Sequence, residues 1–104
     1  MEKGRVEKLV SEIASAFGPE KIILFGSHAR ADARPDSDVD LLVVMRTRQS
    51  TLRTAIQIRQ AVRHDFPIDI IVRTPSQIRD RLRWRDSFIT EIMKTGKVVY
   101  EAAG

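Results

Sequence analysis

The chain has 104 residues, 42% of them hydrophobic and 31% charged, with no cysteine; 18 Lys and Arg against 14 Asp and Glu leave a formal charge of +4. That length suits a single domain, residues 1–104, built on one core, and a separate substrate-binding domain does not fit. Disulfides, thiolate metal sites and cysteine nucleophiles are excluded. His28 and His64 alone cannot supply the usual zinc ligands, so any metal is expected to be hard and bound by oxygen. The positive excess favours anionic partners but is too small to argue for nucleic acid as a direct substrate. No run nears the roughly 18 apolar residues of a membrane span, and Met1-Glu2-Lys3-Gly4 is too polar to open a secretory signal, so a cytoplasmic protein is expected.

Residues 5–17 place Val6, Leu9, Val10, Ile13 and Phe17 on one helical stripe that Gly18-Pro19 ends. Lys21 to Phe25 and Val39 to Met45 are short apolar runs rich in β-branched residues, which predicts two buried strands. Between them, residues 27–33 suit one or two helical turns and Arg34-Pro35-Asp36-Ser37 a polar turn. Ser50 is placed to cap a helix over 51–64 with Leu52, Ala55, Ile56 and Val62 facing inward. Pro67 opens a third strand, Ile68 to Val72. Thr74-Pro75 starts a helix toward Gly96 with Ile78, Leu82, Ile89, Ile92 and Met93 at core spacing, and Trp84, Phe88 and Tyr100 are expected to pack against it. Within it Arg79, Arg81, Arg83 and Arg85 alternate, repelling at four-residue spacing and warning of a break near Trp84. Residues 97–100 suit a closing strand. The fold class is α/β or α+β, with a small mixed sheet of three to four strands flanked by helices.

The chemistry concentrates between Gly26 and Val44. Asp38 and Asp40 lie two apart at the start of an extended run, so their side chains leave one face of the sheet roughly 6.5–7 Å apart and repel. Close carboxylates beside a phosphate are how Mg²⁺ is commonly held. Asp69 interrupts the third strand, and a helical crossover long enough to make strands two and three parallel would bring it beside the same strand end. Gly26 and Ser27 follow the first strand, where backbone N–H groups can hold a phosphate. An EF-hand loop starting at Asp36 fails, with Leu41 in place of its glycine and Thr47 in place of its glutamate, and no Gly-Lys-Ser or Gly-Lys-Thr marks a nucleotide P-loop.

Gly26-Ser27, ten intervening residues and Asp38-Val39-Asp40-Leu41 resemble the defining motif of the DNA polymerase beta-like nucleotidyltransferases. Arg30, Pro35 and Ser37 look like their minimal members, the MNT proteins. The resemblance implies that Asp38 and Asp40 hold two Mg²⁺ ions, that Asp69 completes the nucleophile-side metal or accepts a proton, and that Gly26 and Ser27 bind the β- and γ-phosphates. Arg30 would clamp a phosphate or, equally, brace the loop through Asp32 or Asp36. It further implies transfer of AMP from ATP to a tyrosine of a HEPN-domain toxin, the MNT protein being the antitoxin in a homo- or hetero-oligomer. Two other functions fit the same residues: a dimeric enzyme acting on a small hydroxyl compound, and an antitoxin that neutralises its partner by binding alone. Separately, Asp69 could be a charge that protects a sheet edge.

Overall fold

The computed structural model describes residues 3–29, 38–62 and 64–103. Helix α1 (Lys3–Phe17) buries Val6, Leu9, Val10 and Ile13, and Gly18 ends it at φ +58°, its N–H donating to the Ala14 carbonyl at 3.1 Å. Strand β1 (Lys21–Phe25) leads through a single 3-10 turn, Gly26–His28, toward β2 (Val39–Val44). Helix α2 (Thr51–Ala61) crosses to β3 (Ile68–Arg73), α3 (Pro75–Arg83) and α4 (Ser87–Thr95) follow, and β4 (Lys97–Glu101) closes the chain.

The sheet order is β3-β2-β1-β4, with β1 antiparallel to both neighbours and β2 parallel to β3. A parallel pair needs a long connection, and α2 supplies it. Side-chain alternation then gives the sheet two unequal faces. Val39, Leu41, Val43, Ile22, Leu24, Ile68, Ile70 and Val72 pack with α1 and α2 in the larger core. Ile23, Leu42 and Val44 meet Ile78, Ile89 and Ile92 from α3 and α4 in the smaller one. The sheet is mixed and has four strands, within the three to four expected, and helices flank it as expected.

The helices depart from the sequence expectation in two places. Helix α2 ends at Ala61 rather than His64, and its buried residues are Thr54, Ala55 and Ile58, whereas Leu52 is 71% and Ile56 49% exposed. Thr54 tolerates burial because its hydroxyl donates to the Ser50 carbonyl at 3.0 Å, which rotates the inward stripe onto a polar residue that hydrophobicity alone passes over. The single helix expected from Thr74 to Gly96 is two. Asp86 N–H reaches back to the Arg81 carbonyl at 2.9 Å, Arg85 adopts φ +59°, and Asp86 caps α4 by accepting from the N–H groups of Phe88 and Ile89. The break falls where the arginine alternation weakens helical continuity. It leaves Trp84 70% exposed, so Trp84 does not pack the helix, and Leu82 and Met93 are exposed as well.

Asp86 also receives Arg81 Nη1 at 2.9 Å. That hydrogen bond first, and those from the Ile89 and Phe88 backbones, hold its carboxyl below the ordinary carboxylate range. A depressed folded-state pKa contributes stability that is complete above the unfolded value near pH 4 and is lost as pH falls through the folded value. Asp86→Ala is therefore expected to lower the thermal midpoint at pH 7, with the gap to wild type closing as pH drops from about 4 toward 2. A gap that stays constant across that window in thermal melts would contradict this role.

Candidate active site

The acids sit where three strand ends meet. Phe25 ends β1 directly opposite Asp40, and Asp40 is opposite Asp69 across the parallel ladder. Equal register on neighbouring strands puts Asp40 and Asp69 on one face with backbones about 4.8 Å apart. Asp38, two residues before Asp40, shares that face from the loop before β2. It is the face of Leu42, Val44 and Ile71, continued past the point where the smaller core ends. Asp40 is half-buried, while Asp38 and Asp69 are exposed.

Gly26 fixes the approach of the turn to these acids. Its φ of +76° is one that residues with a Cβ rarely adopt, and a Cβ built there would overlap Asp40 Oδ2 and lie 3.2 Å from Cγ. The chain leaving β1 therefore passes directly over the Asp40 carboxylate. Ser27 follows, half-buried, and the turn closes with Ala29 N–H donating to the Gly26 carbonyl at 3.1 Å. Gly26, Ser27, Asp38, Asp40 and Asp69 thus gather at one end of the sheet. Arg30, with Asp32, Asp36 and Ser37, lies outside the described residues.

Among the described residues, no group of three or more His, Asp or Glu side chains is drawn together closely enough to hold a metal by itself. The donor set nevertheless suits Mg²⁺, which takes one or two carboxylates and completes its shell with waters and substrate phosphates. A glycine that lets the turn lie against the Asp40 carboxylate is consistent with that use.

Two further residues on this face had no site role in the sequence reading, Phe88 beside the acids and Arg73 at the opposite end of β3. Phe88 is 48% exposed and meets Phe25 edge to face, with centroids 5.8 Å apart and planes at 87°, so an aromatic pair flanks the strand end opposite Asp40. Arg73, at the far end of β3 and on the same face as Asp69, donates from Nη1 to the Val72 carbonyl at 2.8 Å, while its Nε is buried without a partner. Burial first, then the nearby Arg81, lowers its pKa, and Asp86 opposes the shift. The signal for Arg73 was available: a cation that ends an apolar strand, at even spacing from Asp69. A 520 Å³ cavity lined by Glu20, Arg46, Ile78 and Met93 opens at the other end of the sheet, away from the acids.

Acids on adjoining strand ends beneath a glycine turn, in a small mixed sheet, define a nucleotidyl-transfer fold, and comparison with known proteins agrees. Residues 6–99 match the family model described as the nucleotidyltransferase domain. The chain belongs to this family and is a nucleotidyltransferase enzyme. A relative in Methanocaldococcus jannaschii bearing the name "Putative protein adenylyltransferase MJ0604" is 28% identical over 100 residues, covering 90% of this chain and 97% of the relative. The crystal structure of a putative nucleotidyltransferase from Sulfolobus solfataricus superposes with a TM-score of 0.65 at 24% identity, covering 94% of this chain and 78% of that one. A structure described as a toxin-antitoxin with AMP-PNP superposes at 0.58 and 19% identity, covering 92% of this chain and 73% of that one. The two superpositions establish the shared fold.

Proposed function

We propose that the protein transfers AMP from ATP to a hydroxyl of a partner protein, most simply a tyrosine of a HEPN-domain toxin, and so acts as an antitoxin. The observation that carries this reading is the Gly26 turn packed on Asp40, with Asp69 in register beside it. The name of the archaeal relative supports a protein acceptor, and the toxin-antitoxin with AMP-PNP supports both a nucleotide and a partner. Among the described residues no helix is long and apolar enough to cross a membrane.

Asp38 and Asp40 would hold Mg²⁺, with Asp69 as a further oxygen ligand on the acceptor side. Bound there, the ion would neutralise charge on the triphosphate and polarise the acceptor hydroxyl. The chain's own groups orient the reactants. Backbone N–H groups of the Gly26-Ser27 turn bind the β- and γ-phosphates, and the missing Cβ lets them approach Asp40. The acceptor oxygen attacks the α-phosphorus in line, the bond to the bridging oxygen breaks, and pyrophosphate leaves. The hydroxyl proton passes to the Asp69 carboxylate.

The test is incubation with ATP labelled at the α-phosphate, Mg²⁺ and the product of the adjacent gene, for which this reading expects a HEPN domain. Wild type is expected to label the partner, and Asp38→Ala to lower the rate by at least about a hundredfold. An unlabelled partner, or equal labelling by Asp38→Ala, would overturn the reading. Neutralisation that survives Asp38→Ala would instead make binding the function.

A further inference from the structure

Strand β3 is the end strand of the sheet, with β2 on one side only. The Val39 N–H donates to the Pro67 carbonyl and the Met45 N–H to the Arg73 carbonyl, which sets the parity of the ladder. Odd-numbered residues of β3 therefore turn their peptide groups toward β2, and Ile68, Ile70 and Val72 turn theirs outward. Among the described residues only the Val72 carbonyl finds a partner there, Arg73 Nη1. Along this edge runs a 460 Å³ groove between α2 and α3, with Asp69 at one end, Arg73 and Arg81 at the other, and Leu52 and Ile71 in its walls.

We propose that this groove receives the acceptor protein as an added strand: an extended, acidic, hydroxyl-bearing segment that pairs with Ile70 and Val72, presents its hydroxyl at Asp69 and sets its carboxylates against Arg73 and Arg81. The inference rests on the reading that the acceptor is a protein.

Three observations argue for that occupant. The outward N–H and carbonyl groups repeat at strand spacing, so a second backbone can satisfy them, displacing Arg73 Nη1 from the Val72 carbonyl where it reaches that far. The groove ends at an acid of the candidate site, and the five residues from Asp69 to Arg73 span about 13 Å, the reach of a short extended peptide. Its charge is asymmetric. Arg73 holds a buried donor without a partner, a costly state that an incoming carboxylate relieves, and Arg81 stands beside it, already held on one side by Asp86.

The bland account makes Arg73 a guard, a cation that blunts an exposed edge. A guard would cover the carbonyl it touches and would not favour acidic peptides over basic ones. The two accounts separate by experiment.

The probes are random copolymers of glutamate with tyrosine and of lysine with tyrosine, given to the intact protein with labelled ATP and Mg²⁺. The acidic copolymer is expected to be labelled well and the basic one poorly. Arg73→Gln is expected to raise KM for the acidic copolymer about tenfold, with kcat and ATP affinity retained. Leu52→Glu should do the same; the residue is exposed, so its replacement does not threaten the fold. Amide hydrogen exchange at Ile70 and Val72 is expected to slow about tenfold or more at saturating acidic copolymer. Unchanged exchange at both amides, equal use of the two copolymers, or unchanged KM in both variants would overturn the proposal. If the amides are protected while no protein acceptor is ever labelled, the transfer reading falls and the docking edge stands. Labelling of a partner with the amides unprotected gives the reverse.

Discussion

Asp40→Asn is expected to lower AMP transfer by about a thousandfold or more while leaving the fold intact, because the change keeps the side chain's size and removes its charge. Asp40 is the acid most constrained by its surroundings. Phe25 opposes it on one side, Asp69 on the other, and the Gly26 turn lies over its carboxylate. Asp69 cannot move in to replace it, since it belongs to a different, hydrogen-bonded strand. The measurement is release of labelled pyrophosphate alongside a thermal melt. Retention of more than a tenth of wild-type activity, with the midpoint within a few degrees, would remove Asp40 from the mechanism.

A paired glycine experiment has the second large effect. Gly18 and Gly26 both have positive φ, yet a Cβ on Gly18 meets nothing within 4 Å, whereas one on Gly26 meets the Asp40 carboxylate. Gly18→Ala is expected to cost only the backbone penalty, about 1 kcal/mol, and to keep full activity. Gly26→Ala adds a clash with the Asp40 carboxylate, which must turn out of its position to make room. The expected cost is about 2–4 kcal/mol, a drop in the midpoint of roughly 10 °C or more, and loss of most transfer activity. Equal losses in the two variants would show that the turn does not depend on its closeness to Asp40. Normal activity in Gly26→Ala would go further and detach the turn from the site.

Most of the fold was legible because the strand runs are short, apolar and separated by proline, glycine and polar turns, signals that belong to the backbone itself. The parallel pairing of β2 with β3, and with it the meeting of Asp40 and Asp69, followed from one fact: the intervening helix is too long for a hairpin. What the sequence hid depended on packing. The inward face of α2 turns on whether Thr54 can satisfy its hydroxyl on Ser50, and no hydrophobic count shows that. The split of the last helical region depends on Asp86 finding two amides and Arg81 at once. Arg73 lies one residue beyond the strand expected from Ile68 to Val72, and its place matters only because β3 is the sheet's edge. The Gly26-Ser27 and Asp38-Asp40 pairs were legible as chemistry, but the contact that joins Gly26 to Asp40 is a register effect that only the antiparallel ladder reveals.

Strand β2 is at once the middle of the molecule and the stem of its site. Leu41, Leu42 and Val43 are fully enclosed, and Asp40 is the next residue along. No pliable joint separates the two, so the carboxylate inherits the stiffness of the hydrophobic interior. The strand behaves as a ruler clamped along most of its length, with the acid at the projecting tip. Precision at the tip then depends on how tightly the clamp is closed, so a loosened interior would blunt the chemistry before it unfolded the chain.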